Sequence, residues 1–151
     1  MPDAISLVRR QFTDYLEEVE MEGKALISEI VIYDALIGVT PEPDWSSPEA
    51  WTGALMPLLK SRRLLSDFII HAHDHRRLAE REGDDKLCRS TLAAIAAYDE
   101  AESKRRKLQT DEVMGDDFFN RPQLQYIAEG VIRILNDFHH ALIQARNSLR
   151  F

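Results

Sequence analysis

The sequence predicts an all-α protein, a single antiparallel four-helix bundle over residues 1–151. Three observations carry that expectation. Apolar residues recur at three- and four-residue steps through four long stretches, the period of one buried helix face. The breaks between stretches fall at glycine, proline and capping residues. No stretch shows the period-two alternation of a half-buried strand. Four amphipathic helices joined by three connectors close most simply with sequence neighbours antiparallel. The seams of the first and last helices are regular enough to support a helix-mediated homodimer as well.

The first helix is expected over residues 3–38, with Asp3 able to cap its start. Ile5, Val8, Phe12, Tyr15, Val19, Leu26, Ile30, Tyr33 and Ile37 form a heptad-like seam. Glu22 occupies a seam position. Its carboxylate is expected to reach solvent at the edge, because burying it unpaired would be very costly. Gly38 followed by Pro41 and Pro43 stops the helix. Residues 39–46 connect, and Trp45 is expected to pack back over the first two helices.

Ser47 and Pro48 open the second helix: the serine can accept from free N–H groups, and proline tolerates the first helical position. Trp51, Leu55, Leu58, Leu65, Phe68, Ile69, Ala72 and Ala79 line its buried face, with a kink expected at Pro57 and the end at Gly83. At 1.5 Å per residue such a helix spans roughly 50 Å. It holds three of the five histidines within five residues. His71 and His75 lie one turn apart, continuing a line from Leu64 and Phe68 to Leu78 at the edge of the buried stripe. His73 is expected to face solvent beside Asp74 and Arg77.

The third helix is expected over residues 85–108, with Leu87, Leu92, Ile95 and Tyr98 facing inward. Its centre, AAIAAY, allows a neighbour to come close. The run KRRK at 104–107 is expected at the C-terminal end, where cations complement the helix dipole; a phosphate or RNA patch is the sharper reading. Residues 109–119 are acidic and expected to be irregular, with Met114 and Phe118 covering the bundle end or offered to a partner. Asn120 caps the last helix, with Phe119 and Leu124 spaced for a hydrophobic staple and Gln123 for a capping box. Over residues 121–149, Leu124, Ala128, Val131, Leu135, Phe138, Leu142, Ala145 and Leu149 hold a regular seam.

Composition narrows the function classes. The chain is 44% hydrophobic and 30% charged, ordinary for a folded soluble domain. A net charge of −7 and a pI near 5.2 argue against duplex nucleic acid as a partner, because phosphate neutralisation supplies much of that affinity. No apolar run has membrane-spanning length and no basic-then-apolar leader opens the chain, so no membrane association and a cytoplasmic location are the expectation. Cys88 is the single cysteine, so an intramolecular disulfide is impossible; a half-buried helical residue is expected there.

Three constellations could carry chemistry. His71 and His75, joined by His139 or His140 from the last helix, could share a metal, with Zn or Fe as the candidates. The Glu-x-x-His pairs of di-iron bundles are absent. Arg133 and His140 lie seven apart on one face, which resembles the Arg-x(4–6)-His spacing of HEPN-type helical ribonucleases. That resemblance covers eight residues, has Ile134 in place of the usual polar residue, and implies catalytic roles for Arg133 and His140. His73 with Arg76 three residues on, and Gly83 beyond, resembles a histidine phosphotransfer domain, with Arg77 where that family has glycine; it implies a phosphate carried on His73.

The reading that integrates these features is a non-enzymatic, acidic regulatory or interaction module without a cofactor. Its general shape is similar to that of acidic four-helix regulators of the transcription machinery. The partner is expected to be a protein, a second copy of the chain included. The docking residues are expected among Arg62, Arg63, Asp74, Arg76 and Arg77 and in the loop at Met114 and Phe118. A His-lined metal-binding bundle is the alternative.

Overall fold

The structure, a computed structural model, describes residues 4–39, 48–112 and 121–149. These form four helices and, among the described residues, no strand: α1 Ala4–Val39, α2 Pro48–Glu82, α3 Asp85–Glu112 and α4 Arg121–Asn147. The expectations for Trp45, Met114, Phe118 and the cap at Asn120 fall outside the described residues, as do the side chains of Ile5, Tyr33, Ile37, Trp51, Leu55, Pro57, Leu58 and Leu124.

Each helix lies against the next, α4 closes on α1, and α2 touches α4 across the centre. Neighbours run antiparallel. Tyr15 of α1 meets His71 and His75 of α2, while further along α1 Glu29 pairs with Lys60. Ser90 of α3 bonds Ala145 of α4, while Lys104 reaches back to Asp137.

The core is built as the apolar periodicity requires. Phe12, Leu16 and Ile30 of α1, Leu65 and Phe68 of α2, and Val131, Leu135 and Leu142 of α4 are all fully buried. Phe68 meets the edge of Phe138 at 5.0 Å between centroids and 88°, a favoured aromatic geometry. From α3 the contribution is mostly small: Ala94, Ala97 and Ala101 are buried with Ser90 and Thr91. Both hydroxyls are satisfied. Ser90 Oγ donates to the Ala145 carbonyl at 2.7 Å, and Thr91 Oγ1 to the Cys88 carbonyl at 2.9 Å. Small residues on α3 let the large side chains of α4 approach closely, and burying the two hydroxyls with partners avoids their desolvation penalty.

Several details differ from expectation. Leu92 is 45% exposed rather than inward, because the buried stripe of α3 runs through Leu87, Ser90, Thr91, Ala94, Ala101 and Leu108. The stripe was hidden because its members are small or polar. Leu16, one residue behind the α1 seam, is buried, since α1 has neighbours on two flanks and its apolar face widens accordingly. Glu22 is exposed, as expected. α3 runs on to Glu112, so KRRK lies inside the helix and not at its end. No glycine or proline interrupts residues 105–112, and Leu108 is buried against α4, so packing carries the helix onward.

The α2–α3 junction is stopped by backbone geometry. Gly83 adopts φ 68°, a left-handed conformation available to glycine without a Cβ clash. Gly83 N–H donates to the Glu80 carbonyl at 3.2 Å and Asp84 N–H to the Ala79 carbonyl at 3.0 Å, the paired closure of a Schellman end. Asp84 then caps α3: its Oδ1 accepts from the Leu87 N–H at 3.2 Å. Arg9 of α1 grips the same carboxylate, Nε to Oδ2 at 2.6 Å and Nη2 to Oδ1 at 2.8 Å. One buried residue therefore ties three helices together, its carboxylate holding α1 and α3 and its N–H holding α2.

Candidate functional site

Three places hold the chemistry-bearing side chains: a histidine–aromatic stack between α1 and α2, the outer face of α2, and a cleft between α3 and α4.

In the stack, the Tyr15 ring lies over His71 at 5.0 Å and 28°, over His75 at 5.7 Å and 24°, and near Phe68 at 6.0 Å and 12°. His75 also meets Phe12 at 5.1 Å. His71 Nδ1 donates to the Asp67 carbonyl at 2.8 Å. His75 Nδ1 is buried with no hydrogen-bond partner. Burial, and then the nearby His71, lower the His75 pKa, against a smaller raising by Asp74. Burial pushes the Tyr15 hydroxyl well above the usual phenol range, with Glu22, Asp67 and Glu18 adding to it.

Of the three histidines His71 is the exposed one, and His73 is half-buried rather than wet. α2 has neighbours on both flanks, so the side of the helix away from His71 is partly covered as well, Ile69 with His73. The metal set does not assemble. Among the described residues no three His, Cys, Asp or Glu side chains are placed to share an ion, so His71, His75 and His140 do not form such a group. Both α2 rings stack on Tyr15, forming an aromatic wall on the core.

The burial of His75 is expected to make folding pH-dependent. The folded His75 pKa lies below its ordinary value of 6.5, so the unfolded chain takes up the proton first as pH falls. Stability is complete above about 6.5 and declines below it, down through the folded value. Comparing urea midpoints at pH 7.5 and 5.5 should show a loss in wild type and a smaller loss in His75→Phe. Equal losses would mean that His75 does not supply the effect.

Arg133 and His140 are both exposed on α4, seven residues and about 10 Å apart along the axis. Arg133 lines the α3–α4 cleft and His140 does not. Beside His140, His139 lies at 6.0 Å between rings, half-buried, with its Nδ1 unpartnered. Arg76, the cation next to His73, is engaged with Glu80 at 3.2 Å.

The outer face of α2 carries Leu59, Arg62, Arg63, Ile70 and Arg77, all exposed. Leu59 is 54% and Ile70 61% accessible. Arg77 pairs with Asp74 at 3.0 Å, whereas Arg62 and Arg63 make no ion pair among the described residues.

The KRRK run is largely consumed internally. Arg105 is buried and forks onto Glu102, Nε at 2.9 Å and Nη2 at 2.7 Å, and Arg106 joins the same carboxylate at 3.1 Å. Those guanidinium groups hold the Glu102 pKa below the usual carboxylate range, Arg105 most strongly. Lys104 pairs with Glu100 at 3.1 Å and Asp137 at 3.5 Å. Lys107 remains, exposed and facing the α3–α4 cleft. Sequence reasoning missed this cleft, as it missed the buried Glu20–Arg146 pair, bonded at 2.9 and 3.0 Å. One signal of the cleft was present: Gly130, a glycine inside a helix, where it costs stability unless close approach demands it.

No family model, curated protein or solved structure matches this chain. What fold and site geometry define is a four-helix bundle held in part by partly buried ion pairs. No helix among the described residues is long and apolar enough to cross a membrane.

Proposed function

We propose that this bundle is a non-enzymatic interaction module that docks a protein partner through the outer face of α2. The observation that supports this reading is a pair of large apolar side chains, Leu59 and Ile70, exposed in line with Arg62 and Arg63. Eleven residues separate Leu59 and Ile70, three helical turns or roughly 16 Å, within the footprint of a standard protein interface. Two large apolar residues rimmed by guanidinium groups match the composition of interface centres, where arginine is enriched and lysine is not. On a chain of net charge −7 this face is locally cationic, so the partner surface is acidic around an apolar centre.

Leu59→Asp with Ile70→Asp should leave the helical circular-dichroism signal and melting temperature close to wild type, because both side chains already face solvent. The double variant should lose partners that wild type retains on an affinity matrix, and Arg62→Glu with Arg63→Glu should lose the same ones. Leu92→Asp, a change on α3, should retain them. Truncating the centre of an interface typically costs 2 kcal/mol or more, about 30-fold in Kd. Partners held equally by all four proteins, or sedimentation showing that this face joins two copies of the chain, would refute the reading.

A further inference from the structure

We infer that the cleft between α3 and α4 binds a small phosphorylated molecule carrying a flat ring, a nucleoside phosphate in chemical class. The cleft encloses about 360 Å³, within the usual range for a small-ligand site, and opens to solvent. Its lining divides by chemistry. Leu108, Gly130 and Ile134 make an apolar floor. Tyr126 stands at the wall with its side chain 51% exposed. Lys107 and Arg133 are exposed cations with no ion pair among the described residues.

The acidic side chains here do not cancel that charge. Asp137 shares Lys104 with Glu100, at 3.5 and 3.1 Å. Among the described residues the lining sets three cations, Lys104, Lys107 and Arg133, against two carboxylates, Glu129 and Asp137. A locally cationic cleft on a chain of net charge −7 selects a small anion over a long polyanion, which the rest of the surface repels.

Each wall has a distinct use. A guanidinium offers two parallel N–H donors to phosphate oxygens, and a lysine adds a mobile point charge. An exposed tyrosine on a rigid helix gives a flat ring a surface to stack on. The floor is held still by close packing: a Cβ on Gly130 would lie 2.9 Å from both terminal methyl carbons of Leu108. Glycine is thus what lets α3 and α4 approach under the cleft and keeps its floor low. This assignment also gives Arg133 a role apart from RNA cleavage, since His140 does not line the cleft.

The experiment is calorimetric titration of tag-free protein with AMP, ADP and UDP at low ionic strength. At least one should bind saturably at one site per chain, with adenosine alone and inorganic phosphate alone each at least about tenfold weaker. Tyr126→Ala and Arg133→Gln should each weaken binding about tenfold and Lys107→Gln less, while Arg62→Gln leaves it unchanged. All these positions are exposed, and melting temperatures would confirm that the variants fold. No saturable binding of any of the three nucleotides would overturn the assignment. So would binding indifferent to Tyr126→Ala and Arg133→Gln, or a short single-stranded RNA binding more tightly than the nucleotides.

Discussion

Replacing Phe68 with alanine is expected to cost about 3–5 kcal/mol of folding stability, the range for a fully buried phenylalanine that leaves a cavity. Phe68 is 1% exposed, and its ring sits between the stack on Tyr15 and the edge of Phe138, so three helices lose contact at once. The loss is a large part of the roughly 5–15 kcal/mol that holds a domain together. It should lower the melting temperature by roughly 10 °C. Urea unfolding followed by tryptophan fluorescence measures it. Phe68→Leu, which refills much of the space, should recover more than half. A loss under about 1 kcal/mol for the alanine variant would show that the bundle does not close on this ring.

The second large effect belongs to Asp84. Its side chain caps α3 and receives both arms of Arg9 while only 3% of the residue is exposed. Asp84→Ala removes a helix cap, worth about 1 kcal/mol, and charge-assisted hydrogen bonds worth about 1.5–3 kcal/mol. A total of about 2–4 kcal/mol is expected. Asp84→Asn keeps the capping oxygen and loses the charge, so its cost should be about half. The two variants also separate in acid. Arg9 holds the Asp84 pKa below the ordinary carboxylate range, burial opposes this, and the backbone N–H groups of Leu87 and Lys86 assist it. A depressed carboxylate supplies stability that is complete above the unfolded pKa, near 4, and is lost as pH falls through the folded value. Wild type should therefore lose stability below about pH 4 more steeply than Asp84→Asn. Parallel acid profiles would show that the Arg9 pair contributes nothing.

The two other clasps differ in kind. Glu20–Arg146 closes α1 on α4, with both side chains mostly buried, at 9% and 17% exposure. Glu102–Arg105 stays within α3, where Arg105 fills a core-facing position with its aliphatic stem and turns its charged end back on its own helix. A cation in the seam of α3 is affordable because Glu102 lies three residues away, one turn back on the same helix.

Much of this was legible before any coordinates. The seam of α4 reads off residue by residue, and Ala128, Val131, Leu135, Phe138, Leu142, Ala145 and Leu149 are all buried. The stop at Gly83 and the solvent-facing Glu22 were equally plain. α3 was misread at Leu92 because a stripe of alanine, serine and threonine has little hydrophobic contrast, and the largest apolar residue nearby drew the assignment outward. The histidine faces were misjudged because periodicity marks one buried direction, while α2 is covered on two sides.

By itself the sequence determined the four helices, most of their ends and most of the core, because helical period and apolar transfer act over a few neighbouring residues. Tertiary structure alone decided which charges meet. Arg9 finds Asp84 across 75 residues and Arg146 finds Glu20 across 126, and no local pattern encodes either partner. The same holds for the cleft, whose walls come from two helices and whose charge depends on which lysine Asp137 has already taken. Pairing of this kind is set by how the helices pack, since a charge is stabilised by whichever opposite charge the fold brings within a few ångströms.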